Sequence, residues 1–485
     1  MAGLFGTDGV RARINTGSMT AEAVVRLALA AGRWFADRNP GIKHARPKVV
    51  IGKDTRLSGY MIEAAMVAGF TSIGLDCRLL GPIPTPAVAH LTRSLRAELG
   101  VMISASHNPH HDNGIKLFGP DGYKLDDAIE AEISALAAGS IALAEPNQLG
   151  RARRMLDSVG RYVEFAKSTL PGRMRLDGLK IVVDCANGAA YRTAPDTLYE
   201  LGAEVIPLAV SPDGFNINDG CGAVYPQMMA AAVVEHGADA GICLDGDADR
   251  LILADETGAI IDGDQILGRL ALSLHQKGTL SGDAVVGTVM SNRGLEMRLR
   301  EAGLTLHRTN VGDRYILEKM RADGYNLGGE PSGHILMTHL ARAGDGLLAA
   351  LQMLALMQQA EQPASSFFHC FSPSPQRLKN LRNIDPQILH DTKLQADLTA
   401  IEAEMNGAGR ILVRPSGTES LVRVMVEADS DALVARAIDA IILRIKQAAG
   451  LDCVVSSVWA RLRGIAVWAR VCGLGWGGSV GGAGV

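Results

Sequence analysis

One pattern recurs along the chain. A short apolar run, often β-branched, gives way to a Gly, Asp or Asn turn, and a stretch with helical spacing follows. Residues 48–51 lead into Gly52-Lys53-Asp54 and a helix near 60–75. Residues 180–183 lead into Asp184-Cys185-Ala186-Asn187-Gly188, and 284–289 into Ser291-Asn292-Arg293-Gly294. Short β-branched runs alternating with helices predict βαβ units and mainly parallel sheets. The three starts, near 48, 180 and 284, share no fixed period, which excludes a solenoid. They predict three related α/β domains, at 1–150, 151–255 and 256–365. Residues 364–375, rich in Ser, Pro and Phe, read as a linker. Beyond it, short runs at 410–413 and 421–427 and a helical pattern at 431–448 predict a smaller α+β domain over 373–448.

The tail, 451–485, departs from this rhythm and reads as an atypical extension, disordered rather than interfacial. It holds three of the four tryptophans, Trp459, Trp468 and Trp476. Its Gly473-x-Gly475-x-x-Gly478 lacks the strand and helix that a dinucleotide fingerprint needs. Arg461, Arg463 and Arg470 break its apolar run, so it predicts no membrane-spanning helix.

Composition narrows the function. Hydrophobic residues make up 47 % and charged residues 21 % of 485, as in a folded globular protein. Forty-eight basic against 52 acidic residues leave a net charge of −4, which predicts neither a nucleic-acid partner nor a polybasic membrane anchor for 1–448. Aromatic residues are 4 %, too few for base-stacking platforms. The seven cysteines are scattered without a CxxC pair, against a disulfide framework or thiolate zinc site. The first residues do not read as a secretory signal, and the expected location is the cytoplasm. Monomer and homodimer both fit.

Four polar motifs carry candidate chemistry. In Ser104-Ala105-Ser106-His107-Asn108-Pro109, an apolar strand ends in a loop that presents Ser106 where α/β sheets gather ligands. Ser106 reads there as a nucleophile or phosphate carrier, although the loop alone reads more readily as an ordinary polar βα turn. The nearby His107, His110, His111 and Asp112 match no zinc spacing and read as loop residues. In Leu244-Asp245-Gly246-Asp247-Ala248-Asp249-Arg250, three carboxylates separated by small residues can curl around one hard cation, Mg²⁺ or Ca²⁺. Arg250 stands where an EF-hand needs a sharp glycine turn, and the flanks read as strands, so an EF-hand is excluded. Arg414-Pro415-Ser416-Gly417-Thr418-Glu419 offers the parts of a phosphate nest. Glu330-Pro331-Ser332-Gly333-His334 alternates polar groups suited to a polyhydroxylated ligand, or forms a plain loop.

Taken together and in this order, the motifs resemble the α-D-phosphohexomutase superfamily. Further support comes from Phe5-Gly6-Thr7-Asp8-Gly9-Val10-Arg11, Asp112-Asn113-Gly114-Ile115-Lys116 and Val311-Gly312-Asp313-Arg314-Tyr315. The first and last of these lean towards the glucosamine branch. The resemblance covers about 1–448, with departures at Ala12, Ala223, Pro331 and Ser420. It implies four domains around a central cleft and a phosphoryl group carried on Ser106. It implies one Mg²⁺ per site, held by Ser106, Asp245, Asp247 and Asp249. The implied activity interconverts glucosamine 6-phosphate and glucosamine 1-phosphate through glucosamine 1,6-bisphosphate, upstream of UDP-N-acetylglucosamine. Lys116 is the expected general acid/base, lying among cations, with His107, Arg11 and Arg250 assisting. Glu330, Ser332 and His334 are expected on the sugar, and Arg414, Ser416, Gly417, Thr418 and Arg423 on the phosphate that does not react. The competing expectations are a phosphomannomutase or phosphoglucomutase of the same superfamily and a non-catalytic sugar-phosphate binding protein.

Overall fold

A computed structural model describes residues 5, 6, 9–38, 46–415 and 421–451. The tail motifs and Ser416, Gly417 and Thr418 lie outside the described residues. The chain divides into two compact units, the first ending at Pro373 and the second beginning at Ser374.

The first unit holds three sheets. Strands β1 (Val10–Arg13), β2 (Lys48–Lys53), β3 (Asp76–Pro82), β4 (Leu99–Ile103), β5 (Asp112–Phe118) and β6 (Ala152–Arg154) lie in the order β1-β5-β4-β2-β3-β6. Their helices are α1 (Ala21–Arg38), α2 (Gly59–Ser72), α3 (Thr85–Ser94), α4 (Asp127–Ala138) and α5 (Ser158–Ser168). The second sheet contains β7 (Lys180–Asp184), β8 (Glu204–Leu208), β9 (Ala240–Leu244), β10 (Leu251–Asp255) and β11 (Ile260–Ile261), with α6 (Thr193–Glu200) and α7 (Gln227–His236). The third contains β12 (Ala284–Thr288), β13 (Thr305–Thr309), β14 (Leu327–Gly329) and β15 (Ile335–Met337). Around it lie α8 (Gly263–Gln276), α9 (Arg293–Glu301), α10 (Asp313–Asp323) and α11 (Gly346–Ala360).

Each sheet has a parallel core and an antiparallel continuation. In the first, β2 pairs parallel with β3 and β4, and β5 returns antiparallel to β4. The second repeats this with β7, β8 and β9, then β10 antiparallel to β9. The third repeats it with β12, β13 and β14, then β15 antiparallel to β14. The sheets are therefore mixed, and the Ser106 loop is a strand-to-strand turn rather than the βα corner expected from its sequence. The pattern hid this because β5 is buried along nearly its whole length. A strand covered on both faces loses its period-2 alternation.

Burial explains the apolar runs. Val49, Ile51, Val101 and Ile103 pack on one face of the first sheet with Leu27, Phe35, Ile62 and Phe70 of α1 and α2. Val50, Met102 and Phe118 face the other way, into a core shared with Val183 and Leu244 of the second sheet and Val285 and Leu327 of the third. Helix α11 lies in that core, with Leu347, Leu348, Leu351 and Leu354 all buried, as suits a helix apolar on every side. Residues 364–375 are not a loose linker. They begin with α12 (Ala364–Phe367), and Phe367 and Phe368 are buried in the same core. The aromatic rings supply the driving force that Ser and Pro content obscured.

The second unit has β16 (Gln376–Arg382), β17 (Gly409–Pro415) and β18 (Leu421–Ala428) in the order β16-β18-β17, all antiparallel. Helices α13 (Thr392–Glu404) and α14 (Asp431–Ala448) cover one face through Leu394, Leu398, Ile438 and Ile441. Among the described residues, no helix is long and apolar enough to cross a membrane.

Asp345 caps α11, accepting from the Leu348 N–H at 3.0 Å and from the Tyr162 hydroxyl at 2.9 Å. Burial pushes its carboxyl from 3.8 to about 7. A raised carboxyl favours the folded state most when protonated, so this contribution is present below pH 4 and is lost as pH rises to 7. Asp345→Asn keeps the cap acceptor without the charge. Its melting temperature should fall less than that of the parent chain between pH 4 and 7, as measured by thermal unfolding.

Candidate active site

Three of the four motifs occupy one kind of position. Ser106 lies between β4 and β5, the aspartates between β9 and β10, and Glu330 to His334 between β14 and β15, each at the carboxyl end of a parallel strand. The loop of 416–420, outside the described residues, joins β17 to β18.

Ser106 is held in a left-handed conformation, φ +51°. Its N–H donates to Ser104 Oγ at 2.9 Å, and its hydroxyl donates to Asp245 Oδ2 at 2.6 Å. The His107 Nδ1 stands 3.3 Å from the same Oγ. Burial, then the charges of Arg250 and Arg11, press His107 down to about 4, so its imidazole is neutral at pH 7. His110 and His111 are exposed, as their spacing suggested.

The loop is fixed from beneath by residues the sequence did not single out. Arg56, buried to 1 % exposure, donates to the carbonyls of Ser106 at 2.9 Å, Asn108 at 2.8 Å and Asp112 at 3.1 Å, and also to that of Pro109. Its charge is met by Asp54 at 2.8 Å, which also accepts from Ser104 Oγ at 2.7 Å. Asn218 of the second sheet's loops donates to the same Ser106 and Asn108 carbonyls at 2.9 and 3.1 Å. The polar turn Gly52-Lys53-Asp54-Thr55-Arg56 at the carboxyl end of a predicted strand was the available signal.

The aspartate loop approaches closely. A Cβ on Gly246 would meet the Ser106 carbonyl oxygen at 2.5 Å, so only glycine allows the two loops this contact. Thr85, at the start of α3, donates its hydroxyl to Asp247 Oδ2 at 2.6 Å and its N–H to the Asp247 carbonyl at 2.9 Å. Asp245, Asp247 and Asp249 are buried and offer oxygens within 4.8 Å of one another. Burial, then Asp249 and Asp247, push Asp245 upwards. For Asp249 burial acts the same way, but Lys116, His334 and Arg250 outweigh it and hold the carboxyl well below its usual range. Asp247 Oδ1 and Asp249 Oδ1 are buried without a hydrogen-bond partner. Unsatisfied hard oxygens in an anionic pocket fit a divalent cation.

Lys116, on β5, donates to Asp247 Oδ2 at 2.9 Å and Asp249 Oδ2 at 3.0 Å. Its neighbours are thus carboxylates, where the sequence led to the expectation of cations. The aspartates needed neutralising, and β5, buried along nearly its whole length, supplies the lysine. Arg11, on β1, lies in register with Gly114 beside this strand. Arg250 closes the aspartate loop with its N–H on Asp245 Oδ1 at 3.2 Å, while its Nε is buried and unpartnered.

The third-sheet loop joins the same corner. Arg250 and His334 form a backbone bridge, and His334 Nδ1 is 3.6 Å from Asp249 Oδ1. Burial opposes a charged His334, yet Asp249 and Asp313 hold its pKa above the ordinary value. Glu330 accepts from the Gly312 N–H at 2.9 Å and from Ser332 Oγ at 3.1 Å. Pro331 leaves this geometry intact, its carbonyl accepting from the Gly263 N–H at 3.1 Å. Asp313 pairs with Lys124, and Arg314 pairs with Glu130 at 2.8 Å, tying the third sheet's segment to the first. In the second unit, Arg414 and Arg423 face each other across β17 and β18.

Four family models, described as phosphoglucomutase/phosphomannomutase alpha/beta/alpha domains I, II and III and C-terminal domain, match residues 2–141, 160–258, 262–373 and 376–444. The phosphoglucosamine mutase of Paracoccus denitrificans is 58% identical over 449 residues, 92% of this chain and 99% of that one. The chain belongs to the α-D-phosphohexomutase superfamily, in its phosphoglucosamine mutase branch. Solved phosphohexomutase structures share the fold. A phosphoglucomutase/phosphomannomutase family protein from Burkholderia thailandensis aligns with TM-score 0.77 at 25% identity, over 92% of this chain and 97% of its own. The N-acetylphosphoglucosamine mutase of Aspergillus fumigatus, solved with GlcNAc-6P and magnesium, aligns with TM-score 0.62 at 18% identity, over 92% and 96%. The mixed sheets with a smaller C-terminal domain are thus the phosphohexomutase fold.

Arg56 gives a direct test of how rigidly this mutase-family loop must be held. Arg56→Lys keeps the charge beside Asp54 but loses the planar fork that spans several carbonyls. The expected result is a fall in kcat on the order of 10²-fold with KM little changed, read from steady-state kinetics.

Proposed function

We propose that this chain is a phosphoglucosamine mutase, interconverting glucosamine 6-phosphate and glucosamine 1-phosphate through a phosphorylated Ser106. The observation that carries this reading is the 2.6 Å bond from Ser106 Oγ to Asp245, within a buried carboxylate triad, in a chain so close to phosphoglucosamine mutases. The phosphomannomutase and phosphoglucomutase alternatives, and a silent binding protein, are not favoured.

In this proposal the Oγ–phosphorus bond of phospho-Ser106 breaks as a hydroxyl of the sugar phosphate forms the new oxygen–phosphorus bond. Lys116 relays the hydroxyl proton to the Ser106 oxygen, which leaves as the free hydroxyl that the second transfer will rephosphorylate. The intermediate is glucosamine 1,6-bisphosphate, which turns so that its other phosphate returns to Ser106. Phosphoryl transfer asks mainly for positioning and charge stabilisation. Arg11 and Arg250 supply fixed positive charge, and neutral His107 sits against the hydroxyl without competing for its anionic partners. Asp245, Asp247 and Asp249, with a phosphate oxygen on Ser106, would hold one Mg²⁺. The chemistry such an ion supplies is neutralisation of charge on that phosphate.

Glu330, Ser332 and His334 would hold sugar hydroxyls. Arg414, Ser416, Gly417, Thr418 and Arg423 would hold the phosphate that does not react. The pairing of Arg414 opposite Arg423 supports that role, since like charges directly across a ladder destabilise it unless an anion intervenes. Burial, then Arg423, lowers the pKa of Arg414, and Arg423 Nε is buried without a partner.

Two variants test the reading. Ser106→Ala should reduce coupled-assay turnover of glucosamine 6-phosphate to background and abolish the phosphoprotein mass increment; retained turnover would remove Ser106 from the reaction. Asp247→Asn should leave the circular dichroism spectrum unchanged while Mn²⁺ binding, followed by electron paramagnetic resonance, is lost together with activity.

A further inference from the structure

The strands that carry Ser106 at their carboxyl ends also frame a groove near their amino ends. Lys48 and Val50 of β2, Arg78 of β3 and Arg153 of β6 lie on one face of the first sheet. Val50 is in register with Arg78, and Arg78 with Arg153. Arg154 follows at the sheet edge. Leu95 comes from the turn after α3, and Met155 from the segment entering α5. Together they line a cavity of about 520 Å³. From Lys48 to Lys53, β2 rises roughly 16 Å, so the groove is well separated from the Ser106 end of the sheet.

The groove holds an unbalanced charge. Four cations line it, against one lining carboxylate, Asp157, which is already paired with Arg161 at 2.7 Å. Asp76, in register with Lys48, accepts from the Arg151 N–H at 2.9 Å and reaches Arg78 only at 3.9 Å. The Arg78 Nη1 is buried with no hydrogen-bond partner. Lys48 spends one N–H on the Leu95 carbonyl at 3.0 Å. Arg153 and Arg154 are exposed on the edge strand β6. Folding does not gather like charges beside a buried guanidinium N–H for stability alone, because both features cost free energy. Beside the cations, Val50, Leu95, Ala97 and Met155 offer an apolar wall. Clustered cations match a phosphate group, and the wall matches a ring or chain attached to it.

We propose that this groove is a second ligand site, distinct from the catalytic corner, for a small phosphorylated molecule that carries an apolar or aromatic portion. Its phosphates contact Arg78 and Arg153, with Lys48 and Arg154 at the sides, and its apolar portion lies on Val50, Leu95 and Met155.

The methyl group of Met155 reports on the groove without sensing the Ser106 corner. The full chain is labelled with [¹³C-methyl]methionine, the Met155 resonance is assigned through Met155→Leu, and ADP is titrated in the absence of divalent metal. Saturable movement of the Met155 resonance is expected with ADP and not with adenosine. Arg153→Gln, an exposed position that leaves the fold intact, should weaken the titration about tenfold, and Arg78→Gln at least as much. The proposal is overturned if ADP leaves the Met155 resonance in place, if adenosine moves it equally, or if Arg153→Gln titrates like the parent chain.

Discussion

Three carboxylates cannot be buried together without payment in positive charge. Two like charges 4 Å apart cost about 4 kcal/mol at an effective dielectric of 20, and the triad contains three such pairs. That is comparable with the roughly 5–15 kcal/mol by which a whole domain is stable. The oxygens of Asp245, Asp247 and Asp249 lie within 4.8 Å of one another, so the fold has to bring cations to them. It does so from separate elements: Lys116 from the first sheet, Arg250 from the aspartate loop and His334 from the third sheet. Charge balance at one point therefore locks three sheets to a common corner, and the shared core beneath them provides the rigidity.

The repeated strand–turn–strand arrangement explains how such a corner can be built from loops. A βα loop is held to the sheet at one end only. In each sheet of the first unit the functional loop is pinned at both ends by an antiparallel ladder, β4 to β5, β9 to β10 and β14 to β15. Arg56 and Asn218 then fix the Ser106 loop through its carbonyl oxygens. These contacts leave the side chains of Ser106 and His107 free of structural duty. Such preorganisation is what transfer of a highly charged group requires, since no reorganisation energy remains to be met when the charge moves.

The candidate side chains stood out because their residue types are unusual where they occur. Three aspartates between small residues after an apolar strand have few cheaper explanations, and the serine before Asn-Pro gains its weight only beside them. Their supports were not legible in the same way. Arg56, Thr85 and Asn218 act on backbone groups 50 residues or more away in the chain, and a local pattern carries no information about which carbonyl a side chain will meet. The environment of Lys116 was misjudged for a related reason. Its expected surroundings came from the reacting phosphates, whereas burial on β5 sets it against Asp247 and Asp249. The turn after β4 was mistaken for a βα corner because β5 is buried on both sides, which removes the alternation that marks a strand.

Where the protein balances charge internally and where it does not is informative about ligands. The Asp54–Arg56 pair and the Arg314–Glu130 bridge between the first and third sheets are balanced by partners within the chain, whereas the carboxylate triad is balanced only in part by Lys116, with Asp247 Oδ1 and Asp249 Oδ1 left unpartnered. Two groups of cations are balanced poorly or not at all among the described residues: Arg414 facing Arg423, and Arg78, which meets Asp76 only at 3.9 Å, with Arg153. In both groups the strand register places two arginines directly opposite each other, Arg414 with Arg423 and Arg78 with Arg153. Both include a buried guanidinium N–H without an acceptor. For the first group, the proposed counter-charge is the phosphate that does not react. The same physical argument, applied without change to the second, calls for an anion at the opposite end of the sheet from Ser106.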